Sequence, residues 1–133
     1  MDTTLRDGEQ TSGVSFTAAE KLSLARLLLE ELQVDRIEVA SARVSAGEFE
    51  SVCQITEWAR SSGYLSQVEV LTFIDKGVSL NWIEKAGAQV QNLLAKGSLN
   101  HLTHQLRKTP ETHFKEVAEM LAEAQARGIR SNV

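Results

Sequence analysis

Arg6, Asp7 and Gly8 set a guanidinium, a carboxylate and a turn residue in succession within the run Asp2-Thr3-Thr4-Leu5-Arg6-Asp7-Gly8-Glu9-Gln10. A carboxylate oxygen suits a hard divalent cation such as Mg²⁺ or Mn²⁺. A neighbouring guanidinium suits an oxygen on which negative charge develops, as in an enolate. The plain alternative for the same pair is a salt bridge across a turn. Glu38 is the next residue of chemical interest, because it interrupts the apolar run Val34 to Ala40. A carboxylate buried in a strand needs a partner, and Arg6 and Arg43 are the candidate cations. Glu9 reads as solvated or paired within its loop. His101, His104 and His113 read as surface residues of helix or loop, and Cys53 as a small core residue beside an apolar helix face.

The elements that must position these groups alternate between strand and helix, which predicts an α/β protein with parallel strands. Asp2 to Leu5 is a strand stub. Thr17-Ala-Ala-Glu20 has the form of a capping box and opens a helix with Leu22, Ala25, Leu29 and Leu32 on one face. Val34 to Ala40 is the second strand. Ser45-Ala-Gly-Glu48 is another capping box, whose helix buries Phe49, Val52, Ile55 and Ala59 and stops at Gly63. Val68 to Ile74 is a third strand by its β-branched and aromatic content. Ser79 is the expected cap of a short helix carrying Leu80, Ile83 and Ala86, ended near Gly87. Val90 to Ala95 is the fourth strand. Thr109-Pro110 opens the last helix, with Phe114, Val117, Leu121 and Ala124 on its buried face and Gly128 after it. Ile129 to Val133 begins a fifth strand. Trp58 and Trp82 fall on helices and read as packing residues.

Composition narrows the setting. Apolar content of 42% and charged content of 24% are those of an ordinary globular domain. A formal net charge of −4 offers no basic footprint for nucleic acid, and no cationic amphipathic helix points to a membrane. The single cysteine cannot form an intrachain disulfide, which fits a reducing cytoplasm.

The opening run resembles the signature of the Claisen-condensing acyltransferases related to 2-isopropylmalate, homocitrate and citramalate synthases, a superfamily shared with hydroxymethylglutaryl-CoA lyase. Arg36 to Ser45 is similar to the second strand and loop of citramalate synthase-like members. Asn92 to Ser98 is similar to their fourth strand and following loop, so the resemblance covers essentially the whole chain. It implies a divalent-metal-dependent TIM barrel that condenses acetyl-CoA with a 2-oxo acid. Pyruvate, giving citramalate, is the favoured oxo acid and 2-oxoisovalerate the next. By this resemblance Arg6 contacts the oxo-acid oxygen, Asp7 ligates the metal (Mn²⁺, Mg²⁺ or Zn²⁺), and Gln10 and Glu38 support the site. Leu71 and Leu94 match positions that line the pocket around the small substrate's methyl group.

Such enzymes take two further metal ligands from a His-x-His pair and place a Tyr and a Glu on the fifth strand. Neither feature is found in these residues, because His101 and His104 stand three apart in a different segment. A complete (β/α)₈ barrel takes roughly 250 residues. The expectation is therefore a partial TIM barrel: about four β/α units plus the start of a fifth strand, residues 1–133 forming the N-terminal half of a catalytic domain truncated at both ends. It is expected to be inactive alone and to form homo-oligomers through its open sheet edges. A non-catalytic half barrel that self-associates or binds, and a fragment of a hydroxyacyl-CoA lyase of the same fold, are the alternatives.

Overall fold

The computed structural model describes residues 1–133. Four parallel strands form one sheet in the order β1 (Ile37–Ser41), β2 (Val68–Thr72), β3 (Val90–Leu93) and β4 (Arg130–Asn132). Asp2 adds a parallel bridge beside β1, donating to the Arg36 carbonyl at 2.8 Å and accepting from the Glu38 N–H at 2.9 Å. Helices α1 (Ala18–Arg26), α2 (Ala46–Ser62), α3 (Val78–Lys85) and α4 (Pro110–Ala126) alternate with the strands. This is the expected partial (β/α)₈ arrangement. No helix is long and apolar enough to cross a membrane.

The sheet and helices enclose one apolar core. Ile37, Val39, Val68, Val70 and Leu93 meet Val52, Ile55, Ala59, Leu80, Ile83, Met120 and Ala124 there. Each fully buried aliphatic side chain contributes about 1.5–3 kcal/mol. Leu71 and Val90 are buried but stand outside this cluster. With side chains alternating along a strand, they share the opposite face with Glu69 and Asn92. Phe49 meets Trp82 edge-on and Trp58 stacks on Tyr64, so both tryptophans pack as expected.

Capping explains where the helices begin. Thr17 and Glu20 form the reciprocal box. Ser45 accepts the Glu48 N–H at 3.1 Å, but the Glu48 carboxylate turns to Lys21 instead of back to Ser45. Ser79 is not a cap. Gly77, at φ +80°, holds the N-cap position of α3, and the Asp75 carboxylate accepts the Ser79 N–H at 3.0 Å while Ser79 lies buried.

Two helix faces differ from expectation. In α1 the buried residues are Lys21 and Ala25, followed by Leu28 and Leu29, and Leu32 is exposed. A π-helical turn over Leu27–Glu31, closed by Leu32 N–H donating to the Leu27 carbonyl at 3.0 Å, inserts an extra residue and rotates Leu32 off the core face. In α4 the buried stripe begins at His113, which is 1% exposed, while Phe114 is 65% exposed. His113 is thus a core residue, and Phe114 belongs to the surface. The second, third and fourth strands are also shorter than the apolar runs that announced them.

Candidate functional site

The chain turns sharply after the Asp2 bridge, at the end of the sheet where the parallel strands finish. The Thr3 carbonyl accepts N–H groups from Arg6, Asp7 and Gly8 at 3.1, 2.7 and 3.2 Å, and a 3₁₀ turn follows over Gly8–Gln10. The Asp2 carboxylate accepts the Thr4 N–H at 2.9 Å, fixing the approach to the turn. This geometry presents Arg6 and Asp7 on one side of the strand ends.

Arg6 joins two carboxylates. Its Nε donates to Glu38 Oε2 at 2.5 Å and its Nη1 to Asp7 Oδ1 at 2.7 Å. The Glu38 side chain is 0% exposed, that of Arg6 19% and that of Asp7 60%. Asn92 Nδ2 completes the setting by donating to Glu38 Oε1 at 2.6 Å. Both oxygens of the buried carboxylate are therefore satisfied, one by a charge-assisted bond, as burial demands. Arg6 Nη2 and Asp7 Oδ2 make no hydrogen bond, so a donor of positive charge and an acceptor of negative charge lie free next to each other.

A cleft of about 250 Å³ opens beside Arg6, lined by Arg6, Glu9, Gln10, Ser41, Val44, Ser45 and Glu48, with Asp7 and Glu38 outside its walls. Beneath its rim the Lys21 ammonium is buried between Glu9 at 2.6 Å and Glu48 at 2.5 Å. This ion triad ties the Arg6–Gln10 turn to the first turn of α2. Burial alone raises the Glu9 pKa, but the Lys21 ammonium and the Phe16 N–H, 2.9 Å away, leave it net below the ordinary carboxylate value.

The structure thus brings Arg6, Asp7, Gln10 and Glu38 together. Glu38 pairs with Arg6, whereas Arg43 pairs with Asp75 at 2.9 Å. Glu9 is paired within the cluster. Leu71 lies buried beside Asn92 in the β2–β3 register and does not line the cleft. Leu94 lines a different pocket, with Phe73 and His113. His101 and His104 are exposed on a π-helical turn. The residues that the sequence did not single out are Asn92, Lys21 and Glu48. Asn92 carried a signal, being an amide inside an apolar strand run; Lys21 carried none beyond its spacing to Ala25. A larger cavity of about 630 Å³ runs among Arg36, Glu69, Arg130 and Asn132 at the opposite, N-terminal ends of the strands.

Parallel strands alternating with helices define part of a (β/α)₈ barrel, and the charged groups form a candidate site at the face such barrels use for chemistry. The HMGL-like family model matches residues 1–133, and the chain belongs to that family. It is 40% identical over 121 residues to a 2-isopropylmalate synthase of Geobacillus thermodenitrificans, covering 90% of this chain and 23% of that protein. A 2-isopropylmalate synthase of Oceanobacillus iheyensis is 36% identical over 127 residues, 96% of this chain and 24% of that protein. The (R)-citramalate synthase CimA of Methanocaldococcus jannaschii is 35% identical over 129 residues, 97% of this chain and 25% of that protein. The chain spans about a quarter of the length of the curated relatives it matches.

Proposed function

We propose that residues 1–133 are the N-terminal half of a catalytic barrel that condenses acetyl-CoA with a 2-oxo acid in the cytoplasm. Pyruvate is the favoured acceptor and 2-oxoisovalerate the next. The observation that carries this reading is Arg6 held between buried Glu38 and exposed Asp7, with Nη2 and Asp7 Oδ2 both free.

Asp7 Oδ2 has the chemistry of one ligand to Mg²⁺, Mn²⁺ or Zn²⁺. No group of three His, Cys, Asp or Glu side chains gathers in these residues, so Asp7 accounts for one member of a set they do not complete. Asp7 would hold such a cation in part, and the cation would supply Lewis-acid polarisation of the 2-oxo acid's keto group. Arg6 Nη2 donates to the keto oxygen and offsets the charge that arrives there as the acetyl α-carbon, its proton taken by a base outside these residues, bonds to the keto carbon; water then cleaves the thioester and frees the thiol. Glu38 and Asn92 hold the guanidinium in place, and Gln10 faces the same cleft as a substrate contact. Leu71 and Leu94 lie outside the cleft in these residues and are assigned to the acceptor's methyl side by their match to the family's pocket positions. The open edge of β4 supports association of copies of this chain.

The test is thiol release from acetyl-CoA in the presence of Mn²⁺ and either oxo acid. It is run on this chain alone and on the chain fused to the remaining barrel of the Geobacillus thermodenitrificans relative. The chain alone gives no release and the fusion does. Arg6→Ala and Asp7→Ala in the fusion each lower the rate by roughly 10²-fold or more. A fusion that works at full rate with both alanine variants would overturn these roles.

A further inference from the structure

One lip of the cleft beside Arg6 has little of its own to hold it in place. The 3₁₀ turn Gly8–Gln10 buries no residue, and Thr11 to Ser15 are all exposed. Apart from the Gly8 N–H on the Thr3 carbonyl, the backbone bonds of this segment are local: Gln10 to the Asp7 carbonyl, Thr11 to that of Gly8 and Val14 to that of Thr11. Glu9 supplies the side-chain anchor. Its Oε1 accepts the Phe16 N–H at 2.9 Å, and its Oε2 takes the Lys21 ammonium at 2.6 Å.

The opposite lip is fixed from several sides. The Ala42 N–H donates to the Leu71 carbonyl at 2.8 Å, and Arg43 pairs with Asp75 at 2.9 Å. The first turn of α2 adds Glu48, whose Oε1 lies 2.5 Å from the same Lys21 ammonium. Lys21 therefore joins the loose lip to the fixed one. Its side chain is 1% exposed and continues the buried stripe of Ala25, Leu28 and Leu29. An apolar residue would fill that position without the cost of desolvating an ammonium. What the charge adds is direction: carboxylates from two elements converge on one point.

We propose that Lys21 is a positioning residue for the 2-oxo acid, acting through Glu9 to hold Gln10 at the separation from α2 that the acceptor requires. The inference rests on the acyl-transfer reading above. Arg6 is aimed independently, by Glu38 and Asn92. Loss of the Lys21 tie thus weakens acceptor binding and leaves the bond-forming step near its native rate.

Two variants cut the tie without stranding a buried charge. Glu9→Ala leaves Lys21 on Glu48, and the triple variant Lys21→Met, Glu9→Gln, Glu48→Gln removes all three charges. In this chain, amide heteronuclear NOEs of Gly8–Gln10 fall towards those of a mobile loop in both variants, while those of β1 and α2 stay native. In the fusion with the remaining barrel of the Geobacillus thermodenitrificans relative, both variants raise KM for the oxo acid about tenfold and keep kcat within about threefold, the pattern of a lost binding contact. Adding Gln10→Ala to either variant raises KM no further, because the contact it deletes is already out of place. Native NOEs at Gly8–Gln10 in both variants would overturn the tie. An unchanged KM in an active fusion, or a Gln10→Ala effect that adds in full, would overturn the positioning role alone. An unmodified fusion that releases no thiol overturns the acyl-transfer reading and the acceptor role with it, while the NOEs decide the tie by themselves.

Discussion

Arg6→Ala strips a buried carboxylate of its only cation, and the size of the effect follows from the geometry. Glu38 is fully buried and takes one bond from Arg6 at 2.5 Å and one from Asn92 at 2.6 Å. After truncation only the neutral Asn92 donor remains. Breaking a buried pair on one side costs about 3–5 kcal/mol, and the partial exposure of Arg6 lets some water in, so about 3 kcal/mol is expected. Glu38→Gln alone removes the buried charge and leaves Arg6 bound to Asp7, at a cost of about 1 kcal/mol. In the double variant no uncompensated charge is left. Its cost should be about 1.5 kcal/mol instead of the additive sum of about 4, a coupling of about 2.5 kcal/mol. Urea unfolding read by the fluorescence of Trp58 and Trp82 measures all three. At a slope of about 1.5–2 kcal/mol per molar, Arg6→Ala lowers the midpoint by about 1.5–2 M. An Arg6→Ala shift below about 0.3 M, or a double variant equal to the sum of the singles, would refute the account of Glu38 as a charge buried at the expense of Arg6.

Lys21→Met leaves Glu9 and Glu48 facing each other without their shared ammonium; a loss of about 3 kcal/mol or more in urea unfolding is expected, and a loss under about 1 kcal/mol would contradict the triad. The Glu9 pKa is lower in the folded chain than its ordinary 4.5, so its contribution to stability is complete above that value. It disappears as pH falls through the folded pKa; unfolding free energies collected from pH 6 down to pH 3 should show this loss in the native chain and a reduced slope in Glu9→Gln. Thr17→Ala removes the side-chain half of the α1 capping box, leaving the residue-17 N–H on the Glu20 carboxylate, and should cost about 1 kcal/mol by the same measurement. Burial raises the Cys53 thiol pKa, so its alkylation by iodoacetamide near pH 8 should run slower than that of the unfolded chain, and an equal rate would contradict its packing.

The alternation of strands and helices was legible because apolar runs, capping residues and turn glycines all agreed. The Arg6–Asp7–Glu38 grouping was legible for a related reason: a carboxylate inside an apolar strand advertises its need for a cation. One expected core position in each of the first and last helices, Leu32 and Phe114, was not. Each true core stripe begins at a polar residue, Lys21 in one and His113 in the other, with an apolar neighbour immediately after it. Hydrophobic periodicity passes over both polar residues, while Leu22, Ala25, Leu29, Val117, Leu121 and Ala124 all lie in or against the core as expected. That pattern conceals the two polar side chains that the fold buries. In α1 the π-helical turn compounds the error, since an inserted residue leaves no trace in the spacing. Asn92 was hidden differently: its role depends on reaching Glu38 from another strand, and no local pattern records that distance.

The partners of the two buried strand carboxylates share a geometry. Asn92 of β3 reaches Glu38 of β1, and Asn132 of β4 reaches Glu69 of β2 at 2.8 Å, each passing over the strand between. Neighbouring strands lie about 4.8 Å apart, so each tie spans roughly 9–10 Å of sheet. Such a tie is easiest to close where the surface curves inward. The overlapping ties therefore favour an inward curve of the sheet while each meets one oxygen of a buried carboxylate. Shortening either one would let the surface relax outward and open the angle at which a closing wall must meet it.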